Sequence, residues 1–201
     1  MFNIVVIASG NGSNFQAVVD AIDSGIINAR IVKLISDNER ANVLNRARSA
    51  GIDIITINNK DDFYSILNGI LMSINPDLII LDGFMRIMPE YIVNEFQYKI
   101  INIHPSLLPA FGGRGFYGMR VHRSVIKSGA RFSGCTIHFV TNEVDGGPII
   151  EQRVVEVNDD DDEYTLSEKI HNEEHRALVT SINLLISKKY KISGKRVLRL
   201  Y

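Results

Sequence analysis

The sequence contains one cysteine, Cys135, in 201 residues. That excludes a disulfide framework and fits a reducing compartment. It has no excess of cationic charge: 22 Lys and Arg stand against 23 Asp and Glu, for a net charge of −1. A balanced chain lacks the electrostatic footprint of a nucleic-acid binder, so any phosphate it binds must be held by local design. No apolar run approaches the roughly 18 residues a membrane helix needs. Residues 1–8 enter an apolar strand pattern directly, without the basic start of a signal peptide. No internal repeat and no shift of composition marks a linker. What remains is ordinary globular composition, 45% hydrophobic and 22% charged. The expectation is one cytoplasmic domain over 1–201, monomer or homodimer, with no nucleic-acid or membrane partner.

Residues 2–8 (FNIVVIA) are a near-continuous β-branched run, as befits a strand buried on both faces. Further strands are expected at 31–35, 52–57 and 78–81, alternating with helices at 14–22, 41–50 and 61–74. That alternation predicts βαβ units: an α/β fold of Rossmann-like type, with a mostly parallel twisted sheet flanked by helices. The second half differs. A short helix at 89–96 and a short strand at 99–103 are followed by a Gly-rich loop at 112–118. Two strands at 132–140 and 149–157 flank a turn at 142–148. The acidic run 159–163 reads as the N-terminus of a long amphipathic helix over 166–186, where acidic residues complement the macrodipole.

Three places could carry chemistry. Ser9-Gly10-Asn11-Gly12-Ser13-Asn14 follows the first strand and opens a helix, and free N–H groups there form an anion site. The dinucleotide pattern G-x-G-x-x-G fits at Gly10 and Gly12 but fails at Phe15, with Asp37 as the acid that keeps a dehydrogenase reading open. Asn102 and His104 alternate at the end of a strand, so both side chains share one face before the stiffening Pro105. An amide and an imidazole fixed there suit a developing oxyanion; a satisfied core histidine is the plain alternative. In Gly134 to Ile150, Thr136 and His138 share a face that Cys135 does not, which counts against a Cys–His dyad. Asp145, on a glycine turn, either caps the turn or orients His104. His171 and His175 satisfy H-x-x-E-H, a zinc-peptidase pattern, but no third ligand accompanies them, and no metal is expected.

The segments SGNGSNFQAVVDA, LDGFMRIMP, NIHPSLLPAF and GCTIHFVTNEVDGGPII together resemble the phosphoribosylglycinamide formyltransferases, the folate-dependent glycinamide ribonucleotide transformylases. NIHPSLLP is shared with other formyl-folate enzymes, such as methionyl-tRNA formyltransferase and formyltetrahydrofolate hydrolase; the SGNGSN turn favours the ribonucleotide enzymes. The resemblance implies a formyltransferase domain, with the phosphate half at about 1–100 and the catalytic and folate half at about 101–201. It implies small-molecule substrates, with 10-formyltetrahydrofolate as co-substrate. Gly12, Ser13, Asn14, Phe15 and Gln16 would lie at the ribonucleotide phosphate, and His171, Asn172, Glu173 and Glu174 at its ribose. Met85, Arg86, Ile87 and Met88, together with Asn102, Thr141, Asn142, Glu143, Val144 and Asp145, would line the folate pocket. Asn102, His104 and Asp145 match the family's catalytic trio.

The implied chemistry is direct transfer through a tetrahedral intermediate, the formyl-folate hydrolase being the neighbouring alternative and a non-catalytic binding module a more distant one. Two departures stand out. The stretch 112–120 (GGRGFYGMR) is longer than in the commonest family members and reads as a lid, since glycines permit hinging and aromatics exclude water. Lys60 stands near where the family often has an arginine for the folate tail, keeping the charge but losing the planar fork.

Overall fold

The run at the start of the chain forms β1 (Phe2–Ala8), and Ile4 to Ala8 are all 1% exposed or less. Cover on both faces explains why the pattern is continuous rather than alternating. The computed structural model describes residues 1–59 and 61–200; Lys60, expected near the folate tail, and Tyr201 lie outside them. Two compact units are present, 1–101 and 102–201.

In the first unit β1 pairs in parallel with β2 (Ala29–Ser36) and with β4 (Leu78–Asp82), and β2 pairs in parallel with β3 (Ile54–Thr56). The order β3-β2-β1-β4 is that of a nucleotide-binding half of a doubly wound sheet, connected by α1 (Ser13–Asp23), α2 (Val43–Ser49) and α3 (Phe63–Ile74). The register sets Ala8 opposite Asp82, so the end of β4 lies beside the turn that leaves β1. After α4 (Glu90–Glu95), β5 (Ile100–His104) begins in this unit and ends in the next.

The second unit continues from β5 to β6 (Phe132–Phe139) and β7 (Ile149–Glu156), which pair antiparallel. A hairpin of β8 (Tyr190–Ser193) and β9 (Arg196–Arg199) joins β7 through a parallel contact of β9. Helix α6 (Glu163–Ser187) lies on β6 and β7 and beside α5 (Met119–Ser128). Asp162 caps α6, accepting from the amides of Tyr164 and Thr165 at 2.9 Å each, while Thr165 Oγ1 accepts from the Asp162 amide. The acidic run is therefore a helix start, as its position in the sequence indicated.

The α/β class and the mostly parallel pairing agree with the sequence reading. Three elements differ from it. The strand expected at 52–57 shortens to β3, Ile54–Thr56. Helix α5 was not anticipated: it is rich in Arg, His and Lys, and only Val121, His122 and Val125 face inward. The β8–β9 hairpin was also missed. Ser193 pairs with Arg196 across two turn residues, with Gly194 at φ +58, a conformation that glycine adopts freely. Among the described residues no helix is long and apolar enough to cross a membrane.

Candidate functional site

Within the second unit three residues that are distant in sequence converge. Asp145 Oδ2 lies 3.6 Å from His104 Nδ1, and Asp145 Oδ1 lies 3.7 Å from His138 Nε2. Both separations are too long for hydrogen bonds and are ion pairs only with a protonated ring. Asn102 Nδ2 lies 3.2 Å from His138 Nε2. His104 and His138 are 3% and 2% exposed, so a protein environment surrounds both imidazoles. His138 Nδ1 faces the Phe139 carbonyl at 3.0 Å, and a carbonyl only accepts, so Nδ1 carries the proton. Burial pushes the His138 pKa down, against the Phe139 bond and the Asp145 charge, and favours the neutral ring. Its bare Nε2 then accepts from Asn102, fixing which way that amide points.

Asp145 adopts φ +54, a backbone conformation costly for a residue with a Cβ. A Cβ at Gly147 would sit 1.8 Å from the Phe139 carbonyl oxygen, so the chain passes too close to β6 for any other residue. Held this way, Asp145 Oδ2 also accepts from the Gly113 amide at 2.9 Å. The Phe111 carbonyl, two residues earlier, accepts from His104 Nε2 at 2.9 Å. The Gly-rich stretch is thus bonded to both the carboxylate and the imidazole, with Phe111 and Phe116 in edge contact at 6.3 Å. Below it, Thr136 Oγ1 donates to the Ser106 carbonyl (2.6 Å) and accepts from the Leu108 amide (3.0 Å), locking the exit from β5.

The first unit holds the Gly-rich turn. Its early part is tied to α2: the Val43 amide donates to the Gly10 carbonyl (3.2 Å), Arg46 Nε to the Asn11 carbonyl (2.9 Å), and Asn42 Nδ2 to Asn11 Oδ1 (2.8 Å). Asp37, the acid of the dehydrogenase reading, has both oxygens engaged, one by Ser9 Oγ at 2.7 Å and one by Arg86 Nε at 3.0 Å. It is not presented to a ribose. Of the five residues expected at the phosphate, Phe15 is buried, 1% exposed, and its amide donates to Asp82 Oδ2 at 3.1 Å. Gln16 Nε2 bonds Asp20 at 2.8 Å, and Asn14 is buried.

The residues expected at folate divide by exposure. Met85 and Ile87 are each 55% exposed, whereas Met88 is buried and Arg86 stacks 4.4 Å over the Phe63 ring. Asn142 and Glu143 are exposed beside half-buried Thr141 and Val144, with Glu143 paired to Lys195 Nζ at 2.6 Å. On α6, Glu174 is buried, His171 and Asn172 are exposed, and Glu173 pairs with Arg176 at 2.8 Å. His171 and His175 stand one turn apart, and among the described residues no three His, Cys, Asp or Glu side chains group as a metal site. Cys135 is buried, and burial, with Glu174 nearby, pushes its thiol up to about 12, as for an inert core residue. Two site neighbours escaped the sequence reading. In the sequence His138 only shares a strand face with Thr136, and Asp82 only stands within LDGFMRIMP.

The chain as a whole is similar to known proteins. A family model described as formyl transferase matches residues 2–182. The chloroplastic phosphoribosylglycinamide formyltransferase of Vigna unguiculata is 38% identical over 187 residues, which are 90% of this chain and 60% of that protein. The phosphoribosylglycinamide formyltransferase of Escherichia coli K12 is 36% identical over 178 residues, 86% of this chain and 82% of its own length. The crystal structure of glycinamide ribonucleotide transformylase 1 from Symbiobacterium toebii matches with a TM-score of 0.93 at 38% identity, covering 100% of this chain and 95% of that one.

Proposed function

This chain belongs to the formyl transferase family, and from that premise we propose that it transfers the formyl group of 10-formyltetrahydrofolate to the amine of glycinamide ribonucleotide, a cytoplasmic step of purine synthesis. The observation that carries the reading is that Asp145 lies against His104, 41 positions earlier in sequence, while Asn102 is bonded to His138, whose other neighbour is the same carboxylate. Two donors beside a carboxylate are what an acyl transfer to an amine requires.

The neutral amine attacks the formyl carbon, forming a C–N bond and a tetrahedral intermediate with its charge on oxygen. Asn102 and protonated His104 stabilise that oxygen. The Nε2–H that His104 gives to the Phe111 carbonyl is the donor an oxyanion would take in its place. Asp145 holds the imidazolium and, through water, assists passage of the amine proton to the leaving folate nitrogen. The C–N bond to that nitrogen then breaks, giving formylated ribonucleotide and tetrahydrofolate. No redox partner and no covalent enzyme intermediate enter this sequence.

In this reading Gly12 to Asn14 hold the phosphate and Glu174 the ribose hydroxyls. Within the second unit, residues 141–145 receive the folate. Incubating the protein with both substrates tests the assignment: deformylated folate should appear only when the ribonucleotide is present. Formate release without the ribonucleotide would identify a hydrolase instead. No turnover of formyl folate under either condition would refute enzymatic formyl transfer altogether.

A further inference from the structure

Helix α1 has no cap of its own. Its N-cap residue is Gly12, at φ +74, and a Cβ there would lie 2.4 Å from Val43 Cγ2. The proximity of α2 therefore excludes Ser, Thr, Asp and Asn from the position that normally satisfies the first helical amides. A carboxyl from another strand fills the gap. Asp82, the last residue of β4, accepts from the Phe15 amide through Oδ2 at 3.1 Å and from Asn14 Nδ2 through Oδ1 at 3.3 Å. It reaches them because its register partner is Ala8, and the chain turns away immediately after it at Gly83, φ +61.

We propose that Asp82 is a positioning residue of the ribonucleotide site, capping α1 from β4 and so fixing the turn that receives the phosphate. The inference rests on the function proposed above for the identity of the ligand. Two anchors bracket the turn. Asn11 is held by Arg46 and Asn42 on α2, while Asn14 and Phe15 are held by Asp82. The span Gly12–Ser13 lies between them, at a helix start whose dipole favours an anion. A buried carboxyl is costly to keep. Asp82 is 7% exposed, and its pKa is raised, burial outweighing the Asn14 and Phe15 bonds and the more distant Arg46 charge. An apolar residue would suit a buried strand end better if cover were all that was needed; the two donors on Asn14 and Phe15 supply the reason for an acceptor.

The test uses Asp82→Ala and Asp82→Asn in the full chain. It reads kcat, the KM of each substrate, thermal stability, and calorimetric binding of ribose 5-phosphate, a phosphate-bearing probe that needs no turnover. Asp82→Ala should raise the ribonucleotide KM and the ribose 5-phosphate Kd about tenfold, the scale of a lost cap, while the formyl-folate KM stays within about twofold. Asp82→Asn, which keeps an acceptor for the Phe15 amide, should recover most of that loss. An unchanged ribonucleotide KM, or a loss shared equally by both substrates, overturns the proposal. Should Asp82→Ala not fold, Asp82→Glu, which displaces the acceptor by one methylene, must show the same selective rise or the proposal fails. Wild-type protein that binds ribose 5-phosphate but transfers no formyl group would sink the proposed reaction while leaving Asp82 testable. Wild-type protein that does not bind the probe removes the premise for Asp82.

Discussion

Replacing Asp145 by Asn separates the charge of the candidate catalytic carboxylate from its role as an acceptor. The carboxylate lies 3.6 Å from His104 Nδ1. Between unit charges at that distance the attraction is about 4–5 kcal/mol at an effective dielectric of about 20. The Asp145 side chain is 12% exposed, so solvent and the reorganisation it permits reduce the figure. Taking about half as a lower bound leaves about 2 kcal/mol that an imidazolium in the intermediate would lose. The expected fall in kcat is therefore about 30-fold to 10³-fold. Asn can still accept from the Gly113 amide that Asp145 bonds at 2.9 Å, so the loop contact survives and both KM values should change only by a few-fold. Asp145→Ala removes charge and acceptor together and should be at least as impaired. The assay follows deformylated folate at saturating concentrations of both substrates, with the melting temperature as a control for folding. If Asp145→Asn keeps kcat within about threefold of wild type while Asp145→Ala fails, the residue serves only to anchor the loop, and the electrostatic argument is wrong.

Three further outcomes are expected. Asn102→Ala should lower kcat by about 10²–10³, the usual cost of one oxyanion donor, with an unchanged melting temperature; near-normal turnover would remove Asn102 from the chemistry. Buried His122 is pushed from 6.5 down to about 4, by burial first and then by His171 and His104. Because its folded value is depressed, the unfolded chain takes the proton first, so stability is lost as pH falls from about 6.5 towards 4. His122→Gln should flatten that part of the stability curve by an amount on the order of 2 kcal/mol, measured by denaturant titration at pH 7 and pH 4.5, and parallel curves would refute the attribution. Arg114 is exposed in the Gly-rich stretch. Trypsin cleavage there should slow several-fold when both substrates saturate the protein, and an unaltered rate would argue against a closing lid.

The parts of this fold that were legible in the sequence are those governed by burial on two faces. β1 and β4 could be read directly because continuous apolar runs have few other uses in a chain this short. Helix α5 was obscured because its buried side is narrow, Val121, His122 and Val125, and because it follows directly on a Gly-rich stretch that hides its start. Its glycine stop at Gly129, in the left-handed conformation, was the available signal. In the site, Asn102 and His104 were visible because period two puts them on one face at a strand end. His138 was not, since its role depends on β6 lying next to β5, a pairing that no local pattern encodes. Asp82 was hidden for the same reason: within LDG an aspartate before glycine suggests a turn, and only the Ala8–Asp82 register shows that it caps a helix 67 residues earlier.

Three carboxylates stand at or just beyond the carboxyl ends of strands, and their partners separate their roles. Asp37, after β2, is neutralised by Arg86, a cation at any working pH, and so can only hold a position. Asp82 meets two neutral donors, with Arg46 as its nearest charged influence, and serves as an acceptor for the turn. Asp145 differs from both. The side chains described within 4 Å of its carboxylate oxygens are the imidazoles of His104 and His138, which are charged only when protonated. A carboxylate matched to a fixed cation stabilises one arrangement. One matched to imidazoles has a larger interaction when a proton arrives and a smaller one when it leaves, and this difference is what acyl transfer to an amine can use.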